Sequence, residues 1–475
     1  MNMKKLLAKP QVLLAIIILM IPLLFTNCGK KRIPKKTQII LISVDTLRGD
    51  HLSSYGYSRD TSPNISRLVE DSMYYTQAYP NGCWTMPSHM SLLTGTLPSR
   101  HGVSSYWGAP FETYQVLNQS IQTMTEILKA RHIHTMKFAL LPDELGFSKG
   151  FDMNNSYDPF FNETVLQNVL QEIDNFKEKD FFLFVHTWMV HAPYTNCHFL
   201  ESGKIPREEW DYINNFREIS PIKDRLVDDF RDYLVKYNLY NPVDCVTLYD
   251  SGIHYVDRYI GKMIDKLKEL GIYKEAMVII VGDHGEHFDE HFPDLFYSYH
   301  GKEFYEEFIK VPLILKYPYG FQSGTAAQTV SLVDVFPTVF DFYEWPIPGF
   351  VQGESLLKPV QQRKKYIVSE AISEKDIEKK MIRIGDLKYI VTMNDTGKPG
   401  RVDWNAVTQR NLFDLKSDPR ERKDLYPDLK YRRICLDFEK LLAEVIKNSV
   451  LTNGQTQKTS IGQETVDQLK SMGYL

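Results

Sequence analysis

The chain has 475 residues and a formal charge of −4, with 43% hydrophobic and 24% charged side chains. That composition can bury one large core or two unequal ones, and it excludes a disordered or low-complexity polymer. Acids and bases are interspersed, which excludes a nucleic-acid surface and leaves any anion site to local chemistry.

At the N-terminus Lys4, Lys5 and Lys9 precede an almost wholly apolar run over residues 11–26, followed by Cys28 and the basic Lys30, Lys31 and Arg32. A charged start with an apolar segment of this length is the pattern of a secretory leader, and it is short for a spanning helix. Residues 24–28 resemble a lipoprotein box, with Phe25 and Asn27 where small residues are usual, so lipidation at Cys28 and an uncleaved anchor helix both stay open. Either reading places the protein outside the cytoplasm and tethers it to the membrane, with residues 1–28 as leader and 29–36 as linker. Cys83, Cys197, Cys245 and Cys435 are too scattered for a disulfide framework. Cys197 and Cys245 bracket one insertion and are the pair that could bridge.

Residues 37–45 form a continuous β-branched and apolar run, read as a strand buried on both faces of a parallel sheet and ending in Asp45. Acids at such strand ends face the crevice where parallel sheets bind ligands. Residues 60–71 carry cap chemistry and then helical spacing. In the stretch 81–95, Pro87 and the apolar run behind it mark a helix start with Thr85 at or near the N-cap. Thr85 either only caps that helix or sits against a bound anion, since helix N-termini favour negative charge.

Residues 97–103 read as a loop, and 120–131 as an amphipathic helix. A second buried strand, 181–186, ends in His186 and runs on to His191. Residues 195–245 read as an insertion or lid, and 248–270 as a long helix. A third strand delivers Asp283 and His284. A strand from Val311 and a helix from Ser331 follow. From 361 to 450 short alternating strands and a closing helix give a smaller α+β subdomain, and 451–475 form a tail. The expected fold is α/β: a large, mostly parallel central sheet flanked by helices over 37–360, with that smaller subdomain behind it.

Three strands thus aim Asp45, His186 with His191, and Asp283 with His284 at the edge where Thr85 opens a helix. Two carboxylates, an imidazole and a hydroxyl suit a divalent metal, with the hydroxyl as its activated nucleophile. The ordered motifs I-I-L-I-S-V-D-T-L-R at 39–48, T-M-P-S-H-M-S-L-L-T-G at 85–95, H-A-P-Y at 191–194 and V-G-D-H-G-E at 281–286 resemble the sulfatase branch of the alkaline-phosphatase-like superfamily. Y-E-E-F-I-K-V-P-L-I at 305–314, V-D-V-F-P-T at 333–338, V-Q-G-E-S-L-L at 351–357 and N-L-F-D-L-K-S-D-P-R-E at 411–421 extend the likeness, and residues 466–475 resemble tails of the family.

The resemblance implies an ester hydrolase with one divalent ion, Mn, Zn or Ca, held by Asp45, Thr85, Asp283 and His284. It implies catalytic roles for Thr85, His89 and His191, and substrate contacts from His186, Arg48 and either His300 or Lys302. Family sulfatases mature a Cys or Ser to formylglycine at the position of Thr85, and a Thr cannot become that aldehyde, so no formylglycine is expected. His89 replaces the family's Arg, and Thr46 replaces the second Asp of its paired Asp-Asp. Cys83 lies two residues too early and reads as structural. Asp250 and His254 read as surface or packing residues, and His287 and His291 as solvated loop residues. The expected substrate is a small-molecule, glycan or lipid ester, with phosphate preferred over sulfate. Sulfatase activity proper, a phosphoglycerol- or phosphoethanolamine-type transferase and an inactive binding homologue are the alternatives.

Overall fold

The computed structural model describes residues 27–28, 31–104, 114–155, 162–214, 226–374, 377–394, 402–450 and 458–459. Apart from two short pieces, the expected leader and tail lie outside them. Nine strands form the central sheet: β1 (Asn27–Cys28), β2 (Gln38–Val44), β3 (Met73–Tyr79), β4 (His134–Phe138), β5 (Met153–Asn155), β6 (Phe181–Thr187), β7 (Met277–Gly282), β8 (Val311–Lys316) and β9 (Gln322–Ser331), in the order β1-β9-β3-β8-β7-β2-β6-β4-β5. Pairing is parallel from β7 through β2, β6 and β4 to β5 and between β9 and β3, whereas β8 runs antiparallel to both its neighbours.

Every residue of β2, β6, β7 and β8 is buried, because helices cover both faces and leave no polar side to the strands. Alternation divides β2 between two cores. Ile39 and Leu41 pack with Met90, Leu93, Phe336 and Phe340 on one face. Ile40, Ile42 and Val44 pack with Leu166, Leu248, Ile253 and Ile260 on the other. Truncating any of these Ile, Leu, Met or Phe side chains to Ala costs about 2–5 kcal/mol.

The helices framing the site are α1 (Pro63–Val69), α2 (Thr85–Thr94) and α3 (Pro98–His101), followed by α4 (Met124–Ala130) and α5 (Glu163–Asn175). The stretch expected as a loop over 97–103 holds α3, which Pro98 opens and Gly102, at φ 86°, closes in the left-handed region. The expected helix over 120–131 starts later, because Thr123 and Glu126 form a capping box that sets its first turn. The insertion at 195–245 contains α6 (Arg207–Asn214) and α7 (Leu226–Lys236), and α8 (Pro242–Glu269) begins earlier than expected, its end capped by Asn241 accepting from the Asp244 N–H.

Beyond α9 (Glu306–Ile309) and α10 (Val335–Phe342), strands β10 (Tyr366–Glu374), β11 (Ile377–Ile384), β12 (Leu387–Asn394) and β13 (Val407–Asp414) form a separate antiparallel sheet. Helix α11 (Arg432–Ser449) lays Phe438, Leu442 and Ile446 on it. The buried Lys388 ammonium ties β12 to α9, reaching Glu421 at 2.6 Å, Glu306 at 3.0 Å and the Phe304 carbonyl at 2.8 Å.

Two expectations are corrected. Cys197 and Cys245 are both free buried thiols, not a bridge, and Cys245 Sγ donates to the Leu239 carbonyl at 3.9 Å. His287 and His291 are not solvated: His287 is fully buried and His291 nearly so, because α9 brings Glu307 against both. Asp250 is a packing residue, holding His51, Tyr57 and Arg59, while His254 stacks on His198 with ring centroids 3.9 Å apart. Cys83 is buried among Tyr79, Phe304 and Phe308. Among the described residues, no helix is long and apolar enough to cross a membrane.

Candidate metal and nucleophile site

Register builds the site. Val44 pairs with Thr187 on one side and Gly282 on the other, so the next residues, Asp45 and Asp283, emerge side by side from adjacent parallel strands. Asp283 Oδ1 accepts from the N–H groups of Thr46 and His284, at 3.2 and 2.9 Å, which turns Oδ2 toward Asp45. Thr46 takes φ 54°, a strained conformation for a β-branched residue. Tyr249 holds it there, its hydroxyl donating to the Thr46 carbonyl and accepting the Arg48 N–H.

Helix α2 supplies the hydroxyl. Its ten residues are all buried, and the N-cap is Trp84, in extended backbone, so Thr85 is the first helical residue rather than the cap. Thr85 Oγ1 donates to Asp45 Oδ2 at 3.1 Å and lies 3.3 Å from His284 Nε2. Ser88 Oγ, one turn on, donates to the Asp283 carbonyl at 2.6 Å and locks the helix to β7.

Asp45 Oδ1 and Asp283 Oδ2 are buried with no hydrogen-bond partner among the described residues, and each lies 3.6 Å from His284 Nε2. His284 Nδ1 donates to the Gly285 carbonyl, leaving the Nε2 lone pair facing the carboxylates. Two orphaned carboxylate oxygens converging on an imidazole lone pair are costly to bury unless a cation completes them, so Asp45, Asp283 and His284 fit a divalent metal. A second set, His89, His186 and Asp283, shares one of those carboxylates.

His186 Nε2 lies 3.2 Å from Asp45 Oδ2, and burial lowers its pKa to about 4. His89 sits beneath Thr85: its Nδ1 donates to the Thr85 carbonyl and its Nε2 accepts from Ser43 Oγ, both at 2.9 Å. Burial, reinforced by His186, lowers its pKa to about 3. In that state His89 is a neutral brace for the first turn of α2. Burial raises Asp45 to about 6, opposed by His284.

His191 and His300 meet Nε2 to Nε2 at 3.3 Å. His191 Nδ1 donates to the Ala192 carbonyl at 2.6 Å, so its Nε2 is the acceptor. Burial opposes charge on His300, but Glu286, 3.1 Å from its Nδ1, prevails and raises its pKa. Of the two late basic residues, His300 lies near the site, its ring centroid 4.9 Å from that of His284. The Lys302 ammonium instead lies over Tyr299. Arg48 is committed elsewhere, to Asp50, Glu290 and the Glu286 carbonyl, so the structure does not bring it to Thr85. Ser43, Ser88, Tyr249 and Glu286 were not singled out by the sequence, although Ser43, Ser88 and Glu286 stand inside motifs quoted above.

The fold and this site define an ester hydrolase of the α/β class. The sulfatase family profile matches residues 37–343, and the profile for the C-terminal part of N-sulphoglucosamine sulphohydrolase matches 296–448. The chain belongs to the sulfatase family, whose members generally bind a divalent metal. It is 22% identical to an N-acetylglucosamine-6-O-sulfatase of Bacteroides thetaiotaomicron, with 88% of each chain covered. A solved structure of a protein bound to its substrate D-glucosamine-2-N,6-O-disulfate matches at TM-score 0.66 and 18% identity, covering 87% of this chain and 98% of that one. The phosphonate monoester hydrolase of Agrobacterium radiobacter matches at TM-score 0.63 and 15% identity, over 89% and 100% of the two chains.

Proposed function

We propose that this chain is an extracytoplasmic, membrane-tethered phosphoester hydrolase in which Thr85 Oγ1 is the nucleophile. The contact of Thr85 Oγ1 with Asp45 Oδ2 and His284 Nε2 carries the reading. A divalent ion held by Asp45, Asp283, His284 and Thr85 would neutralise charge on an ester oxygen and lower the pKa of the hydroxyl.

Asp45 Oδ2 takes the hydroxyl proton as Thr85 Oγ1 attacks phosphorus. The phosphoryl oxygens face the N-terminal end of α2, where the helix favours negative charge. His300, held by Glu286 and joined to His191, protonates the departing alkoxide. The pair then takes a proton from the water that attacks phosphorus, the bond from phosphorus to Thr85 Oγ1 breaks, and Asp45 returns its proton to Thr85 Oγ1.

Phosphate is preferred because that adduct is open to attack by water at phosphorus. A sulfo-threonine has no second hydroxyl on its carbon to expel sulfate, the route a formylglycine hydrate provides. Sulfate ester hydrolysis is the second reading, favoured by the sulfatases among the relatives, and it keeps a glycan ester as substrate. Purified protein assayed on matched aryl sulfate, phosphate monoester and phosphodiester, with Mn, Zn, Ca or chelator, tests both. Fastest turnover of a phosphorus ester with added metal supports the proposal; fastest turnover of sulfate overturns the phosphorus preference.

A further inference from the structure

A second group of ligand-type side chains lies outside this site, where the segment between β7 and α9 folds back on itself. His287 Nδ1 lies 3.3 Å from Glu290 Oε2 and 3.4 Å from Glu307 Oε1, and the three ligand atoms all fall within 4.8 Å of one another. Bonds of about 2.1 Å to one ion at tetrahedral angles place ligand atoms about 3.4 Å apart. The His287 side chain is 0% exposed, and its Nδ1 is buried without a hydrogen-bond partner among the described residues while facing both carboxylates.

The other ring nitrogen shows how Nδ1 is freed to bind. His287 Nε2 lies 3.1 Å from the Phe292 N–H and 3.3 Å from the Phe292 carbonyl. When the N–H donates to Nε2, the ring proton sits on Nδ1. When Nε2–H donates to the carbonyl, Nδ1 offers its lone pair, the arrangement in which a backbone group orients a metal-bound imidazole. The ring lies parallel to Phe308 with centroids 5.4 Å apart, which walls one side with apolar surface. Glu290 and Glu307 line a cleft of about 810 Å³ together with Arg48, His291 and Lys310, so an ion has a path in.

We infer that His287, Glu290 and Glu307 form a second divalent-cation site, distinct from the catalytic set. One imidazole and two carboxylates suit Zn²⁺ or Mn²⁺. His287 and Glu290 come from the stretch between β7 and α9, which has no regular secondary structure and carries Glu286 and His300, and Glu307 comes from α9 itself. An ion there clamps this stretch shut and so holds His300 in place. The competing account is a closed ion-pair network, since Arg48 already meets Glu290 at 2.5 Å and His291 meets Glu307 at 2.6 Å.

Full-length protein stripped with chelator and titrated with Zn²⁺ or Mn²⁺, with bound metal counted by elemental analysis, separates the two. Wild type is expected to hold two equivalents, and Asp283→Asn, which breaks the catalytic set, one. Adding His287→Gln to Asp283→Asn is expected to leave none and to abolish the rise in Tm that Zn²⁺ gives the single variant. Glu290→Gln in the same background reads identically if the buried His287 change prevents folding. An Asp283→Asn protein that binds no ion, or a double variant that still binds one, overturns the inference.

Discussion

Thr85 Oγ1 lies 3.1 Å from Asp45 Oδ2, although 40 residues separate them in the chain. The contact exists because β2 ends where α2 begins, and both ends are buried. If Thr85 is the nucleophile, Thr85→Ala lowers kcat on the order of 10³-fold or more, while KM changes little. Thr85→Ser, which keeps the oxygen, retains a measurable fraction of the rate. Steady-state kinetics on a phosphodiester checks both.

His300 and Lys302 are separated by one residue and differ in what they face. His300→Ala is expected to reduce kcat by about 10²–10⁴-fold, the usual worth of a positioned acid. The loss should grow as the leaving group becomes more basic. Lys302→Ala, whose ammonium lies over Tyr299, should leave that dependence as it is. Rates across a series of aryl esters of graded leaving-group pKa give the comparison.

His101 gives a pH prediction away from the metal ligands. It is fully buried against Ser91 Oγ and the Val103 N–H, and burial lowers its pKa from 6.5 to about 3. Above pH 6.5 the ring is neutral in both folded and unfolded chains and contributes no slope. Below it only the unfolded chain takes up the proton, so stability falls with falling pH by about 1.4 kcal/mol per unit down to about pH 3. Denaturant unfolding of wild type and His101→Gln between pH 7 and pH 5 should show a shallower loss for the variant.

Lys388 is fully buried between β12 and α9, with Glu421 equally buried beside it. Lys388→Met strands that carboxylate without its partner and is expected to cost about 3–5 kcal/mol. Lys388→Met combined with Glu421→Gln should recover part of the loss. Urea unfolding of the single and double variants measures it.

The central strands were legible because helices cover both faces, so 37–45, 181–186 and 277–282 read as unbroken apolar runs. Their register then brought Asp45 and Asp283 together at ends the sequence had already marked. The stretch from Asp283 to Tyr305 was not legible in the same way. It has no periodicity, so sequence could not choose between His300 and Lys302, and the contact of α9 that buries His287 is purely tertiary. Glu286 was visible as a letter of a motif, but its role depends on His300 folding back onto it. His89 shows the opposite limit: its position in the helix was plain, whereas its neutral state follows from complete burial beneath Thr85.

The account turns on whether Thr85 carries the reaction. Acid quenching during turnover of a phosphodiester with metal present, followed by peptide mass analysis, tests this most directly. The account predicts an esterified phosphoryl group on the peptide containing Thr85, absent from Thr85→Ala and from chelator-treated protein. Full turnover by Thr85→Ala, or an adduct on any other residue, would contradict it.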